Sequence, residues 1–398
     1  MLSTSFPSPA HLALSDSERA AHPNSFVSEV DNAVLPRVRF HHTGDVYVRG
    51  IQVLAFCRTI ASPEFESIAR QVRRLDMDFE DVRPTRAGLE MVANALAAMS
   101  NLDELVLLGL PSREADGWVL RKVTGRLRLF CTNLSIVSWD MLDFLRRQQD
   151  IVHLGTRSPP ASEAPMRNAY QHMPFPTDVV PRLRTLDSPA PVLLSLQAAS
   201  PPTRPLTHMR IDLNKLHPNV ESEALKALAA FSSTVKRLSL CRSALRLSPA
   251  SDRSGAMCMA SVINRIAMNR RWAKLEFLEM RDESYDAVSI TSCLSLHLCS
   301  PHCQSAIPGL SQAISRCCPA VETIVWAPST HPAGSTASAA CIAIIFFTFS
   351  RHLRQFIFLD DASDPANKKY LSVAKQQGGE LRAVPVGATE VEGMWKQS

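Results

Sequence analysis

Five side chains able to ligate a metal, Cys293, His297, Cys299, His302 and Cys303, fall within eleven residues. A tetrahedral zinc site needs four such ligands, usually supplied by Cys or Cys/His pairs at short spacing. Here the run reads C-x3-H-x-C-x2-H-C, which matches no zinc-finger spacing, and no second C-x-x-C half follows. The expectation is a thiol-rich insert without a bound metal or any other cofactor; zinc-stabilised folding is the competing reading.

Other groups with chemical potential are weaker. Asp360-Asp361 follows a strand-like run, Phe356 to Leu359, where two carboxylates could hold a cation, but a solvated loop after a strand is the preferred reading. His41-His42 reads as a surface pair. The chain holds no G-x-S-x-G elbow, no H-E-x-x-H, no P-loop and no G-x-G-x-x-G, and its 14 glycines leave few phosphate-cradling turns. It reads as non-enzymatic. Basic clusters occur at Arg70/Arg73/Arg74, Arg121/Lys122/Arg126/Arg128 and Arg265/Arg270/Arg271/Lys274. Aromatic residues make up 6% of the chain and do not interleave with them, which argues against stacking on single-stranded nucleic acid.

The elements that would position these residues follow from a repeated apolar signature, φ-x-x-φ. Its anchor pairs are Val72/Leu75, Leu102/Leu105, Leu127/Phe130, Ile151/Leu154, Leu183/Leu186, Leu206/Met209, Val235/Leu238, Leu275/Leu278, Val321/Ile324, Leu353/Phe356 and Leu381/Val384. Second anchors recur every 23 to 46 residues, a range that brackets the leucine-rich-repeat period and includes insertions. Ahead of many anchors lies a helical stripe. Pro84 opens one, with Leu89, Val92, Leu96 and Met99 at i, i+3, i+7 and i+10. The same order predicts helices over Trp139–Arg147, Glu221–Phe231, Met257–Met268, Leu310–Cys317, Cys341–Phe349 and Lys369–Gln377. The predicted fold is α/β: an irregular leucine-rich-repeat-like solenoid, a curved parallel sheet with helices on its convex side.

Strand alternation aims the residues between anchors away from the helices. Those positions carry Arg74, Asp76, Asp78, Glu104, His153, His208, Arg210, Asp212, Arg237, Ser239, Glu279 and Arg281. Stacked in register they would tile the concave face with both signs of charge, a surface suited to a protein partner. The Asn or Cys expected after the third leucine is missing from the clearest units, where Leu110 and Ser243 stand instead. Irregular bends are therefore expected.

Residues 1–34 are polar and rich in Ser, Ala and Pro; they read as a disordered leader and not as a signal peptide. Residues 35–398 read as one repeat domain, with inserts at 157–181, 188–205 and 284–306 marked by Pro, or by Ser, Cys and His. Leu35 to Phe40 looks like a strand. The longest apolar run, Cys341 to Phe349, is about half of what a bilayer span requires. Ten cysteines without a secretory signal read as reduced thiols, which points to the cytosol or nucleus. The net charge of +5, from 43 basic and 38 acidic residues, does not demand a polyanionic partner.

The segments Gln71–Met77, Met99–Leu105, Arg182–Asp187, Trp272–Leu278 and Cys317–Ile324 resemble the repeat region of fungal F-box/leucine-rich-repeat proteins. The resemblance spans roughly residues 35 to 398. It implies a substrate-recognition subunit of a cullin-type ubiquitin ligase, docking on a Skp-type adaptor through an F-box and capturing substrate on the repeats. Residues 1–34 are too short and polar for an F-box, so it reads as lost, degenerate or outside this sequence.

Overall fold

The computed structural model describes the chain from residue 39 to 397 apart from 41–43, 81, 111–113, 137, 158–174, 198–203, 214–217, 243–261, 264, 267–269, 287–305, 331–335, 362–368 and 377. The chain divides into two compact units, whose described parts lie within Leu14–Pro205 and Leu206–Ser398.

In the N-terminal unit, β1 (Arg39–Phe40) runs antiparallel to β2 (Asp45–Arg49), and the strands that follow are parallel and adjacent in chain order: β3 (Arg74–Asp78), β4 (Glu104–Leu108), β5 (Leu129–Thr132), β6 (His153–Thr156) and β7 (Thr185–Pro189). The connections carry α1 (Gln52–Ile60), α2 (Glu66–Ala69), α3 (Arg86–Ala98), a 3-10 segment over Glu114–Lys122, α4 (Trp139–Arg147) and α5 (Pro191–Gln197). The φ-x-x-φ signature sets the register. Leu75 pairs with Leu105, Leu105 with Phe130, Phe130 with Leu154 and Leu154 with Leu186. All of these anchors are buried, as are the first anchors Val72, Leu102, Leu127, Ile151 and Leu183. Each such side chain contributes about 1.5–3 kcal/mol by leaving water, so the stacked column is the main stabilising term of the unit.

The C-terminal unit repeats the scheme with β8 (His208–Asp212), α6 (Pro218–Ala229), β9 (Arg237–Arg242), β10 (Phe277–Asp286), α7 (Ala306–Cys317), β11 (Thr323–Thr330), α8 (Thr336–Phe349) and β12 (Gln355–Asp361). These strands are parallel, and Met209, Leu238, Leu278, Ile324 and Phe356 align across them. Trp326, Phe346, Phe356 and Phe358 form an edge-to-face and stacked aromatic group between β11, β12 and α8, with ring centroids 4.8–6.3 Å apart. Beyond β12 the direction changes: β13 (Lys369–Lys375) and β14 (Leu381–Gly387) are each antiparallel to their predecessor. The chain then turns into α9 (Ala388–Gly393) and a 3-10 turn over Met394–Lys396.

Several expectations need correction. Lys369–Gln377 is not a helix but contains β13, which pairs with β12 and β14; Tyr370 and Val373, spaced as on one helix face, are instead buried on opposite faces of the sheet. Leu381 and Val384 are exposed on β14 and anchor nothing. The α3 helix begins one residue after Thr85, whose hydroxyl accepts from Gly88 N at 3.3 Å, so Thr85 and not Pro84 is the cap. The stretch 188–205 is not all loop, since Pro191 opens α5 as a first-turn proline can. The 284–306 insert begins later than expected: β10 runs through Asp286, and α7 starts at Ala306. Of Met257–Met268, only 262–263 and 265–266 are described as helical; Val262, Ile263 and Ile266 are buried there.

Two side chains take over the bend duty left open by the missing repeat Asn. Asn133 donates Nδ2 to Leu110 O at 2.5 Å and accepts from Leu110 N at 3.2 Å. Gln148 accepts from Leu127 N at 2.9 Å and donates to Gly125 O at 3.0 Å. Each amide imitates a strand backbone and satisfies one buried donor and one buried acceptor.

Candidate functional site

Alternation along the parallel strands presents the sequence-predicted residues on the face opposite the helices. In the N-terminal unit Arg74, Asp76 and Asp78 of β3 lie half-exposed between buried Leu75 and Met77, and Glu104 of β4 stands beside Arg74 at 3.2 Å. The Arg74 guanidinium also lies 5.7 Å from the Tyr47 ring centroid. Burial raises the Tyr47 phenol above its ordinary value, and Arg74 opposes that rise. Asp78 holds a turn, accepting from Glu80 N at 3.0 Å. Val106, Leu108, Leu129, Cys131 and His153 continue the same face, all half-exposed. This region is a charged ledge beside an apolar strip.

The corresponding face of the C-terminal unit is covered by its own chain. His208, Arg210 and Asp212 of β8, Arg237 and Ser239 of β9, and Glu279 and Arg281 of β10 occupy the expected positions. The α9 helix and the turn after it lie over them. Arg237 Nη1 donates to Met394 O at 2.7 Å, His208 Nε2 lies 3.3 Å from Gln397 O, and Arg210 stacks 6.0 Å from the Trp395 ring. Arg281 Nη1 reaches Glu392 Oε1 at 3.4 Å.

Glu279, expected to face a partner, is instead fully buried, and Arg281 is only 13% exposed. Ser239 donates to Glu279 Oε2 at 2.5 Å, and Arg281 Nε binds Glu279 Oε1. Burial opposes the Arg281 charge, but the Glu279 carboxylate outweighs it and the guanidinium holds its proton more tightly than usual. Burial lowers the His208 imidazole below its ordinary value, and it lowers Arg237 as well.

The residues that do the covering were absent from the sequence-based site. Val391 and Trp395 are buried against Phe277, Val325, Ala327, Ile357, Leu359 and Tyr370, with Val386, Ala388 and Met394 packed around them. A signal did exist: Ile324-Val325-Trp326-Ala327 and Phe356-Ile357-Phe358-Leu359 are apolar at every position. Strands of that kind are covered on both faces.

No protein-family model matches the chain, and no curated protein matches it. Within the first two basic clusters, Arg73 is paired with Asp103 at 3.5 Å, Arg121 with Asp140 at 2.6 Å, and Arg70 with Glu66. Arg182–Asp150 adds a further pair in the N-terminal unit at 2.7 Å, and the C-terminal unit has its own pairs, Lys236–Glu276 and Arg354–Glu322, at 3.3 and 3.7 Å. Among the described residues no cluster of His, Cys, Asp and Glu is placed to hold a metal ion. Cys293 to Cys303 and His41-His42 lie outside the described residues, as do the side chains of Asp360 and Asp361. No described helix is long and apolar enough to cross a membrane.

Proposed function

We propose that this chain is a non-enzymatic protein-interaction module, an irregular leucine-rich-repeat-type solenoid whose recognition surface is the strand face of the N-terminal unit. The observation that supports it most is the half-exposed ledge of Tyr47, Arg74, Asp76, Asp78 and Glu104 on strands locked in register by buried anchors. A rigid strand scaffold holds such side chains at fixed spacing, and mixed charge next to an apolar strip suits a protein surface. The sequence-predicted residues on the C-terminal unit are not part of this surface, because the chain's own tail engages Arg210, Arg237 and His208.

The test is a comparison of proteins captured by the wild-type chain and by the triple variant Arg74→Glu, Asp76→Lys, Glu104→Lys, with thermal melts of both. The expected result is loss of a discrete set of captured proteins with the melting temperature nearly unchanged. Identical capture would move recognition off this face. Co-capture of a Skp-type adaptor and a cullin would identify the module as a ubiquitin-ligase substrate receptor.

A further inference from the structure

We propose that Ala388–Gln397 is a displaceable internal ligand, and that the strand face beneath it is a groove for a short helical segment of a partner protein. The segment would carry an aliphatic residue, an acidic residue next to it and an aromatic residue four positions on. The bed is preformed and apolar: Phe277, Val325, Ala327, Ile357, Leu359 and Tyr370 project from four neighbouring strands. Of the tail only Val391 and Trp395 are fully buried, whereas Thr389, Glu390, Lys396 and Gln397 are exposed. That i, i+4 pair of anchors is how an amphipathic helix is read by a groove. Glu392, beside the first anchor, meets Arg281 at the polar border.

The remaining contacts are not specific to this segment. Arg237 and His208 bind the carbonyls of Met394 and Gln397, groups that any peptide supplies. The fit is also incomplete. Trp395 Nε1 and Arg281 Nη2 are buried with no hydrogen-bond partner among the described residues, so a segment bringing acceptors to them gains bonds the tail lacks. Nor does release break any parallel strand pairing, because the tail hangs from β14, an antiparallel strand exposed along nearly its whole length. The groove lies within the C-terminal unit and does not depend on recognition by the Arg74 face.

A site-specific protease sequence inserted between Gly387 and Ala388 lets the full chain fold with its tail before the tail is cut. After cutting and dialysis, binding of a fluorescein-labelled peptide of sequence Ala388–Ser398 is followed by anisotropy. The cut protein is expected to bind it saturably and at least tenfold more tightly than the uncut chain, and peptides with Trp395→Ala or Glu392→Lys at least tenfold more weakly. The uncut chain carrying Trp395→Ala should bind the wild-type peptide nearly as well as the cut protein. A tail that survives dialysis and excludes the labelled peptide, or a cooperative melt that vanishes on cutting, would make the segment an integral part of the fold and overturn the proposal. Equal binding by cut and uncut protein would place the peptide elsewhere. Concentration-dependent dimerisation of the uncut chain would assign the groove to a second copy.

Discussion

Glu279 and Arg74 both stand at outward positions on parallel strands, one just after and one just before a second anchor, yet they differ in what their removal costs. Glu279 has no solvent contact and neutralises a nearly buried Arg281, so Glu279→Ala strands a charge in a low-dielectric site and should destabilise by about 3–5 kcal/mol. Arg74 and Glu104 are each about one-third exposed, and Arg74→Ala should cost no more than about 1 kcal/mol. Urea melts of the two variants check the contrast. His208 adds a pH dependence. Its ring meets Thr207 Oγ1 at 2.8 Å and Gln397 O, while burial and the nearby Arg237 and Lys236 disfavour the proton more than the Gln397 carbonyl and Glu276 favour it. As pH falls, the unfolded chain takes up the proton first, so stability is fully present above about pH 6.5 and is lost as pH drops toward the lower folded value. His208→Gln should flatten this slope between pH 7.5 and pH 5.5. Alternation alone placed both Glu279 and His208 on the right face. It could not foretell their burial, because the cover arrives from far along the chain: Arg237 and Met394 are 157 residues apart.

Among the elements, those with a long apolar stripe were the most legible. Trp139–Arg147 was read to the residue, and Cys341–Phe349 lies within α8, which begins at Thr336. The stripe works because one buried face is enough to fix a helix on a sheet. β13 was misread for the converse reason: its residues are buried on both faces by elements on either side, so neither helical nor strand periodicity is clean. The amide rungs were illegible too. Asn133 stands one position past Thr132 on β5 instead of at the expected repeat position, and only the bend shows that it serves Leu110. Asn133→Ala removes both partners of a buried main-chain group and is expected to cost about 1–3 kcal/mol per orphaned atom. Asn133→Asp keeps the acceptor but loses the donor, and should recover only part of that loss. Thermal denaturation of the pair separates the two bonds.

At the level of the molecule, what the sequence carried was the period. Ten of the eleven apolar pairs became buried anchors, in two runs of parallel strands whose second anchors align within each run. It did not carry the closing turn of the chain upon itself, since the tail is polar at most positions and its two anchors give too short a pattern to read. Coverage on both faces predicts where protection against hydrogen exchange should be greatest: β11 and β12 slowest, with Val325 and Ile357 at the centre, and β14 fast. Exchange monitored by mass spectrometry that found β14 as slow as β12 would contradict this ordering.

Every strand that the tail covers precedes it in the chain. The bed of Val325, Ala327, Ile357, Leu359 and Tyr370 can therefore be complete while Val391 and Trp395 are still undocked. A chain in which these strands have paired and the tail has not yet closed on them bares an apolar sheet face, the kind of surface on which holding chaperones act. Folding by that route passes through the same uncovered state that displacement of the tail would create in the finished protein.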